Sequence, residues 1–254
     1  MTPLRDRTTW LHGDRFHCLQ PPAARAKVWR LVLLGPPGVG KGTQAALLAD
    51  ALGACPLSTG DIFRTAAERS IAPGSPLAEA QERMNRGELV PDDVVLAMMR
   101  ERRACLRCRG GFLLDGYPRT IAQAAALDGL LAAERLRLDA VISYDLPMTE
   151  LVTRMVGRRV CHHCQALYHL LTRPPQITGV CDHCGGPLIQ RTDDQLQPVR
   201  LRLAAYAEAT ARVADYYARQ GLLMAVAADD DAQSIFERTL ELLAAGAAHP
   251  TANR

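Results

Sequence analysis

The segment Gly35-Pro36-Pro37-Gly38-Val39-Gly40-Lys41-Gly42-Thr43 follows directly on an apolar run over 28–34. That order reads as a buried strand, a glycine-rich turn and the opening of a helix. Glycines let consecutive backbone N–H groups converge on an anion, and the new helix aims its positive end at the same spot. Lys41 adds a mobile cation for outer phosphates. Beyond the turn the pattern predicts helix over 41–52, strand over 55–57 and helix from about 61, capped by Ser58 or Thr59. Pro73-Gly74 breaks that helix. Another starts at Ser75-Pro76 and ends by Gly87, and Pro91 opens one through Arg103. Strands over 111–114, 140–146 and 222–226 alternate with helices from 120, over 148–157, 195–220 and 234–244. Such alternation predicts an α/β fold, a parallel sheet covered on both faces.

Gly42 sharpens the picture. An ordinary phosphate loop has Ser or Thr directly after its lysine, where the hydroxyl ligates magnesium. Here the hydroxyl comes one residue later, on Thr43. The G-x-P-G-x-G-K-G-T order resembles that of nucleoside monophosphate kinases, and points away from GTPases and motor ATPases.

At 254 residues, 48% hydrophobic and 22% charged, the chain is expected to form one large domain with insertions. No apolar run reaches the length of a membrane helix. Residues 1–27 lack the apolar stretch of a secretory signal, and Asp6 and Asp14 weaken a transit-peptide reading. They are expected to be a poorly ordered extension or a misplaced start. A net charge of +3 is too mild to argue for nucleic acid.

Without a secretory signal, the spacing of the eight cysteines is read as metal or redox chemistry before disulfides. Cys161-His162-His163-Cys164 and Cys181-Asp182-His183-Cys184 make C-x2-C-x16-C-x2-C. Each knuckle aims two sulfurs at one point, and two supply the ligands of one tetrahedral Zn²⁺. The alternative is four reduced thiols or two disulfides. A closed four-cysteine site is structural, with no catalytic role. Cys105-Leu106-Arg107-Cys108 is a pair without a partner knuckle, read as ordinary thiols at a helix end before a redox centre.

The phosphate loop, Ser58-Thr59-Gly60-Asp61-Ile62-Phe63-Arg64, Asp115-Gly116-Tyr117-Pro118-Arg119, Val156-Gly157-Arg158-Arg159 and Arg191-Thr192-Asp193-Asp194 occur in one order. Together they resemble adenylate kinases of the long-lid, zinc-containing bacterial type, over about residues 28–245. The resemblance implies a P-loop kinase core (28–57, 91–156 and 195–245), an AMP-binding helical segment (58–90) and a zinc-binding lid (157–194). Residues 1–27 and 246–254 would be terminal extensions. It further implies reversible phosphoryl transfer from Mg²⁺·ATP to AMP, giving two ADP, by a cytoplasmic monomer with one structural Zn²⁺ and no nucleic-acid or membrane partner.

By the same resemblance Lys41, Arg119, Arg158, Arg191 and Arg202 surround the migrating phosphoryl group. The acceptor is already an anion, so stabilising charge matters more than a general base. ATP would meet Gly38, Val39, Gly40, Lys41, Gly42, Thr43, Arg154, Arg158, Leu167 and Tyr168. AMP would meet Thr59, Arg64, Glu88, Leu89, Val90, Gly116, Tyr117, Pro118, Arg119, Gln123, Arg191 and Arg202. Asp115 matches the carboxylate that orients magnesium-bound water, or else merely caps the helix at Thr120. Asp193 and Asp194 are expected to secure lid arginines or the hinge, and Gly157 to be that hinge. Gln165 stands where the family often has glycine. Two alternatives stay open: a kinase for another monophosphate, such as UMP or CMP, and a zinc-ribbon nucleic-acid binder, which would need a basic, aromatic-rich stripe.

Overall fold

The computed structural model describes residues 8–12, 27–67 and 76–248. In chain order these form α1 (Thr8–His12), β1 (Trp29–Leu34), α2 (Lys41–Leu52), β2 (Cys55–Ser58) and α3 (Thr59–Ala67). Then come α4 (Pro76–Arg86), α5 (Asp92–Glu101), α6 (Arg103–Leu106), β3 (Gly111–Asp115), α7 (Ile121–Ala133), β4 (Ala140–Asp145) and α8 (Met148–Val156). The insertion holds β5 (Arg158–Cys161), β6 (Leu167–His169) and β7 (Leu188–Ile189). The chain closes with α9 (Leu196–Ala205), α10 (Ala211–Ala218), β8 (Leu223–Ala227) and α11 (Ala232–Ala248).

The main sheet has the order β2-β3-β1-β4-β8, and every pairing is parallel. Alternation along the strands makes both faces apolar. Val32, Leu34, Leu57, Phe112, Leu114 and Val141 join one core with residues of α5, α7 and α10. Leu31, Leu33, Leu113, Ile142 and Tyr144 join the other, with α2, α8, α9 and α11. Register places Asp115 beside Leu33 on one side and Ser58 on the other. The phosphate loop, Asp115 and the start of α3 therefore share the carboxyl edge of the sheet, where open α/β sheets bind ligands. The insertion carries its own antiparallel sheet, β6-β5-β7.

Three details differ from the sequence expectation. Residues 8–12 of the extension are helical, and α1 packs against α3 and α6. Trp10 is fully buried there; its indole N–H donates to the Ser58 carbonyl at 2.9 Å, and Arg102 Nε donates to the Trp10 carbonyl at 2.6 Å. An indole that large ends buried wherever a groove takes its ring and accepts its N–H. The rest of the expected extension up to 26 lies outside the described residues. At the other end α11 runs through Ala248, past the expected start of a tail at 246. The long helix expected over 195–220 is interrupted by a π-helical turn at Tyr206–Thr210.

Candidate active site

The turn after β1 needs glycine for space. A Cβ on Gly35 would stand 2.5 Å from the Tyr144 carbonyl, and one on Gly38 2.6 Å from Met155 Cγ. Gly40 caps α2 in a left-handed conformation, and its carbonyl accepts from the N–H groups of Thr43 and Gln44. A Cβ on Gly42 would meet nothing within 4 Å, so this residue leaves open space beside Lys41. Val39 packs its side chain into the core, leaving its backbone for a ligand. Lys41 Nζ donates to the carbonyls of Gly35 and Pro36 at 2.7 and 2.9 Å, folded across its own turn.

The field around Lys41 ties the site together. Burial first, then the positive charges of Arg119, Arg202 and Arg158, lower its pKa from 10.5 to about 8, while Asp115 works the other way. One ammonium, three guanidiniums and one carboxylate thus act on the same small volume. Such a set suits a polyanion held at several phosphates.

On the α3 side, Thr59 is buried and its hydroxyl lies 3.5 Å from the Asp115 carbonyl. A Cβ on Gly116 would meet the Thr59 hydroxyl at 2.7 Å, so this turn must carry glycine. The Tyr117–Pro118 bond is cis. Tyr117 is wholly buried, and its hydroxyl donates to the Gln123 carbonyl at 3.0 Å. Instead of facing a ligand, its ring holds the turn from behind.

Arg119 Nε donates to the Gly116 carbonyl at 2.8 Å, and its backbone N–H donates to Gln123 Oε1 at 2.8 Å. Gln123 is 2% exposed and gives its amide N–H to Asp92 at 2.7 Å. The amide expected to read a base is therefore occupied in this conformation, and one N–H and one lone pair remain. Arg64 lies on α3, and its side chain is outside the described residues. Glu88 is exposed and paired with Arg86 at 2.9 Å, next to half-buried Leu89 and Val90.

At the base of the insertion, Asp194 is fully buried and accepts from Arg158 through both oxygens, the Nε contact being 2.7 Å. It also lies 3.4 Å from Arg202 Nη1, which bonds Asp193 at 2.9 Å. Burial disfavours the Arg158 charge, yet the Asp194 hydrogen bonds and charge outweigh it and raise its pKa. Arg191 precedes the short turn Thr192–Asp194 that presents both carboxylates. Arg154, on the last turn of α8, stands 3.9 Å from Glu150. A Cβ on Gly157 would fall 2.2 Å from His169 Nε2, so glycine lets β6 close over the end of α8.

Within the insertion the sulfurs of Cys161, Cys164, Cys181 and Cys184 all lie within 4.8 Å of one another. Four thiols at this spacing fit one tetrahedral zinc. Tyr168 is turned into this cluster: its hydroxyl accepts from the Asp182 N–H at 2.8 Å and lies 3.5 Å from Cys181 Sγ. Its side chain, expected against ATP, belongs to the lid's own core; half-buried Leu167 precedes it. Gln165 takes a left-handed φ of 59°, as Gly185 does at 71° after the other knuckle.

The comparisons with known proteins agree with this geometry. A family model described as adenylate kinase matches residues 33–222. The chain belongs to the adenylate kinase family. It is 47% identical over 207 residues to an adenylate kinase of Carboxydothermus hydrogenoformans, covering 82% of this chain and 95% of that one. An adenylate kinase of Symbiobacterium thermophilum is 50% identical over 200 residues, covering 78% and 91%. One of Streptomyces griseus is 45% identical over 218 residues, covering 85% and 98%. Membership of the adenylate kinase family makes this an enzyme that transfers phosphoryl groups to nucleoside monophosphates.

Sequence reasoning missed two supports of this candidate site. Asp92 accepts from Thr120 at 2.9 Å and from Gln123, fixing the helix that follows Arg119. Thr210, in the π-helical turn, donates its hydroxyl to the Arg119 carbonyl at 3.0 Å. Neither carries a local signal, because each acts on a partner far away in the chain. Among the described residues no helix is long and apolar enough to cross a membrane.

Proposed function

We propose that this enzyme moves the terminal phosphoryl group of Mg²⁺·ATP reversibly to AMP, giving two ADP, and does so by electrostatics and closure. The observation that carries this reading is the convergence of Arg119, Arg158, Arg202 and Asp115 on Lys41. Two polyanions repel each other, and this set offsets that repulsion where the phosphoryl group passes. Backbone N–H groups of 38–43 hold the donor phosphates, and Lys41 swings from the Gly35 and Pro36 carbonyls to meet them. Arg119 faces the acceptor phosphate, with Arg191 and Arg202 beside it. Thr59, Arg64, 88–90 and Gly116 form the acceptor pocket, and Gln123 contributes the groups not bound to Asp92 and Arg119. Arg154, Leu167 and the Tyr168 backbone serve the ATP side.

Magnesium supplies charge neutralisation between the phosphates when it enters with ATP. Asp115 fits the role of orienting its waters, and Gly42 offers no ligand of its own. Zinc in the lid would join the two knuckles and stiffen the insertion without entering the chemistry. Closure of 58–90 and 157–194 would exclude water that otherwise accepts the phosphoryl group. The family's habit as a cytoplasmic monomer belongs to the same reading.

Coupled assay of ADP formation tests it, with AMP, CMP, UMP and GMP compared as acceptors. AMP is expected to be preferred, and Arg119→Ala to lose about 10²–10³ in kcat with its fold retained. A pyrimidine preference, or an unaffected Arg119→Ala, overturns the assignment.

A further inference from the structure

Asp92 opens α5 directly after Pro91, and α5 packs against α7. Both oxygens of its carboxylate are engaged there. Oδ2 accepts from the Thr120 hydroxyl at 2.9 Å, and Oδ1 accepts from the Gln123 amide at 2.7 Å. Thr120 in turn caps α7, its hydroxyl accepting from the Gln123 backbone N–H at 3.1 Å. The carboxylate is thus held by Thr120 while it holds the side chain of Gln123. At the other end of that amide, Gln123 Oε1 accepts the Arg119 N–H at 2.8 Å.

These partners leave the amide one orientation. A carboxylate can only accept, and a backbone N–H can only donate. Turned over, the amide would set N–H against N–H and oxygen against carboxylate. Both mismatches would fall in a side chain 2% exposed, where water offers little relief. The locked amide keeps one N–H and one oxygen lone pair, in a fixed order.

We propose that Asp92 is a positioning residue that determines base specificity. By fixing the order of donor and acceptor on Gln123, it makes the acceptor pocket take an amino-substituted purine and reject its oxo counterpart. This rests on the proposed reading of Gln123 as part of the AMP pocket. Adenine offers an exocyclic amino donor beside a ring-nitrogen acceptor, and an amide in the matching order satisfies both. In IMP an oxo group takes the place of the amino group, so the same fixed amide meets oxygen with oxygen. An amide free to turn over would meet the oxo group with its N–H. Hydrogen-bonding groups held in one order reject the wrong base because they are left unpaired. Asp92 acts on the base only through Gln123.

The test is kcat/KM of the full chain for AMP and for IMP, with ATP as donor. Wild type is expected to favour AMP by about 10²-fold or more. Asp92→Ala should narrow that ratio by about tenfold or more. Asp92→Asn keeps the volume but can turn either an oxygen or an N–H towards Gln123. It should narrow the ratio by about 3-fold or more, and it decides the question should the alanine variant fail to fold. Asp93 is exposed and carries the same charge on the same helical turn, so Asp93→Ala should leave the ratio as it is. A wild type that takes IMP as readily as AMP sinks the pocket reading, and the lock with it. A strict wild type whose preference survives in a folded Asp92 variant, or falls equally in Asp93→Ala, overturns the lock alone.

Discussion

Asp194 is fully buried and spans the guanidiniums of Arg158 and Arg202, 2.7 Å from the first and 3.4 Å from the second. The two arginines sit on different elements, one opening the lid strand β5 and the other on the core helix α9. One carboxylate therefore sets the spacing between a lid cation and a core cation before any nucleotide arrives.

Asp194→Asn removes the charge that permits two cations to stand side by side in a buried place. Breaking a buried pair from one side costs about 3–5 kcal/mol. Denaturant unfolding should register a loss of that order, and kcat should fall by about 10²-fold or more as the arginines splay. Asp193→Asn should be milder, because Asp193 bonds Arg202 alone of the two. Equal effects of the two variants would refute this division of roles.

If Lys41 holds the donor phosphates as proposed, donor binding is expected to depend on pH. Its pKa is lowered to about 8 in the free protein by burial and by its cationic neighbours. A bound triphosphate favours the charged form and raises that value, so the complex holds more protons than the free enzyme as pH passes about 8. ATP affinity should then weaken on going from pH 7 to pH 10. Calorimetry in buffers of different ionisation enthalpy should detect proton uptake on binding near pH 8–9. Affinity that stays flat through this range contradicts the lowered value. In the free protein the sign reverses: the unfolded chain holds the extra proton between about 8 and 10.5, so stability rises with pH there.

Gln165 holds a backbone conformation that costs a side-chain-bearing residue about 1 kcal/mol or more. Its amide recovers part of this by donating to the His162 carbonyl at 3.2 Å. Gln165→Gly is expected to tighten lid zinc binding by up to about 5-fold, read by competition with a chelator. Weaker binding would mean that the side-chain hydrogen bond outweighs the strain.

Trp10 fastens α1 against α3 and α6. Trp10→Ala should cost about 3–5 kcal/mol of unfolding free energy, as for other fully buried large aromatics. A change within error in a denaturant titration would show that α1 contributes nothing to the folded body.

The strands, the phosphate loop and the four-cysteine lid are legible in the sequence because each is set by neighbours a few residues apart. Gly35 to Thr43 announces its own turn, and the two knuckles announce their own ligand geometry. Other features depend on distant partners. Trp10 sits in five helical residues with no apolar period, and its burial rests on distant partners: the hydrophobic core it joins, the Ser58 carbonyl and Arg102. Tyr168 faces inward because the Asp182 N–H and Cys181 attract its hydroxyl, a pull absent from the string Leu167-Tyr168. Gln123 is named by the family resemblance, but its engagement by Asp92 is not readable there, since Asp92 lies on another helix.

The wide turn at Tyr206–Thr210 interrupts what is otherwise one rod from Leu196 to Ala218. Arg202 lies ahead of it and addresses the lid-base carboxylates; Thr210, at its end, addresses the Arg119 carbonyl. Each residue of an α-helix advances about 100° around the axis. The wide turn is thus a phase adjuster between two addresses on a single shaft. Excising one residue there would rotate one address away while the other stayed in place.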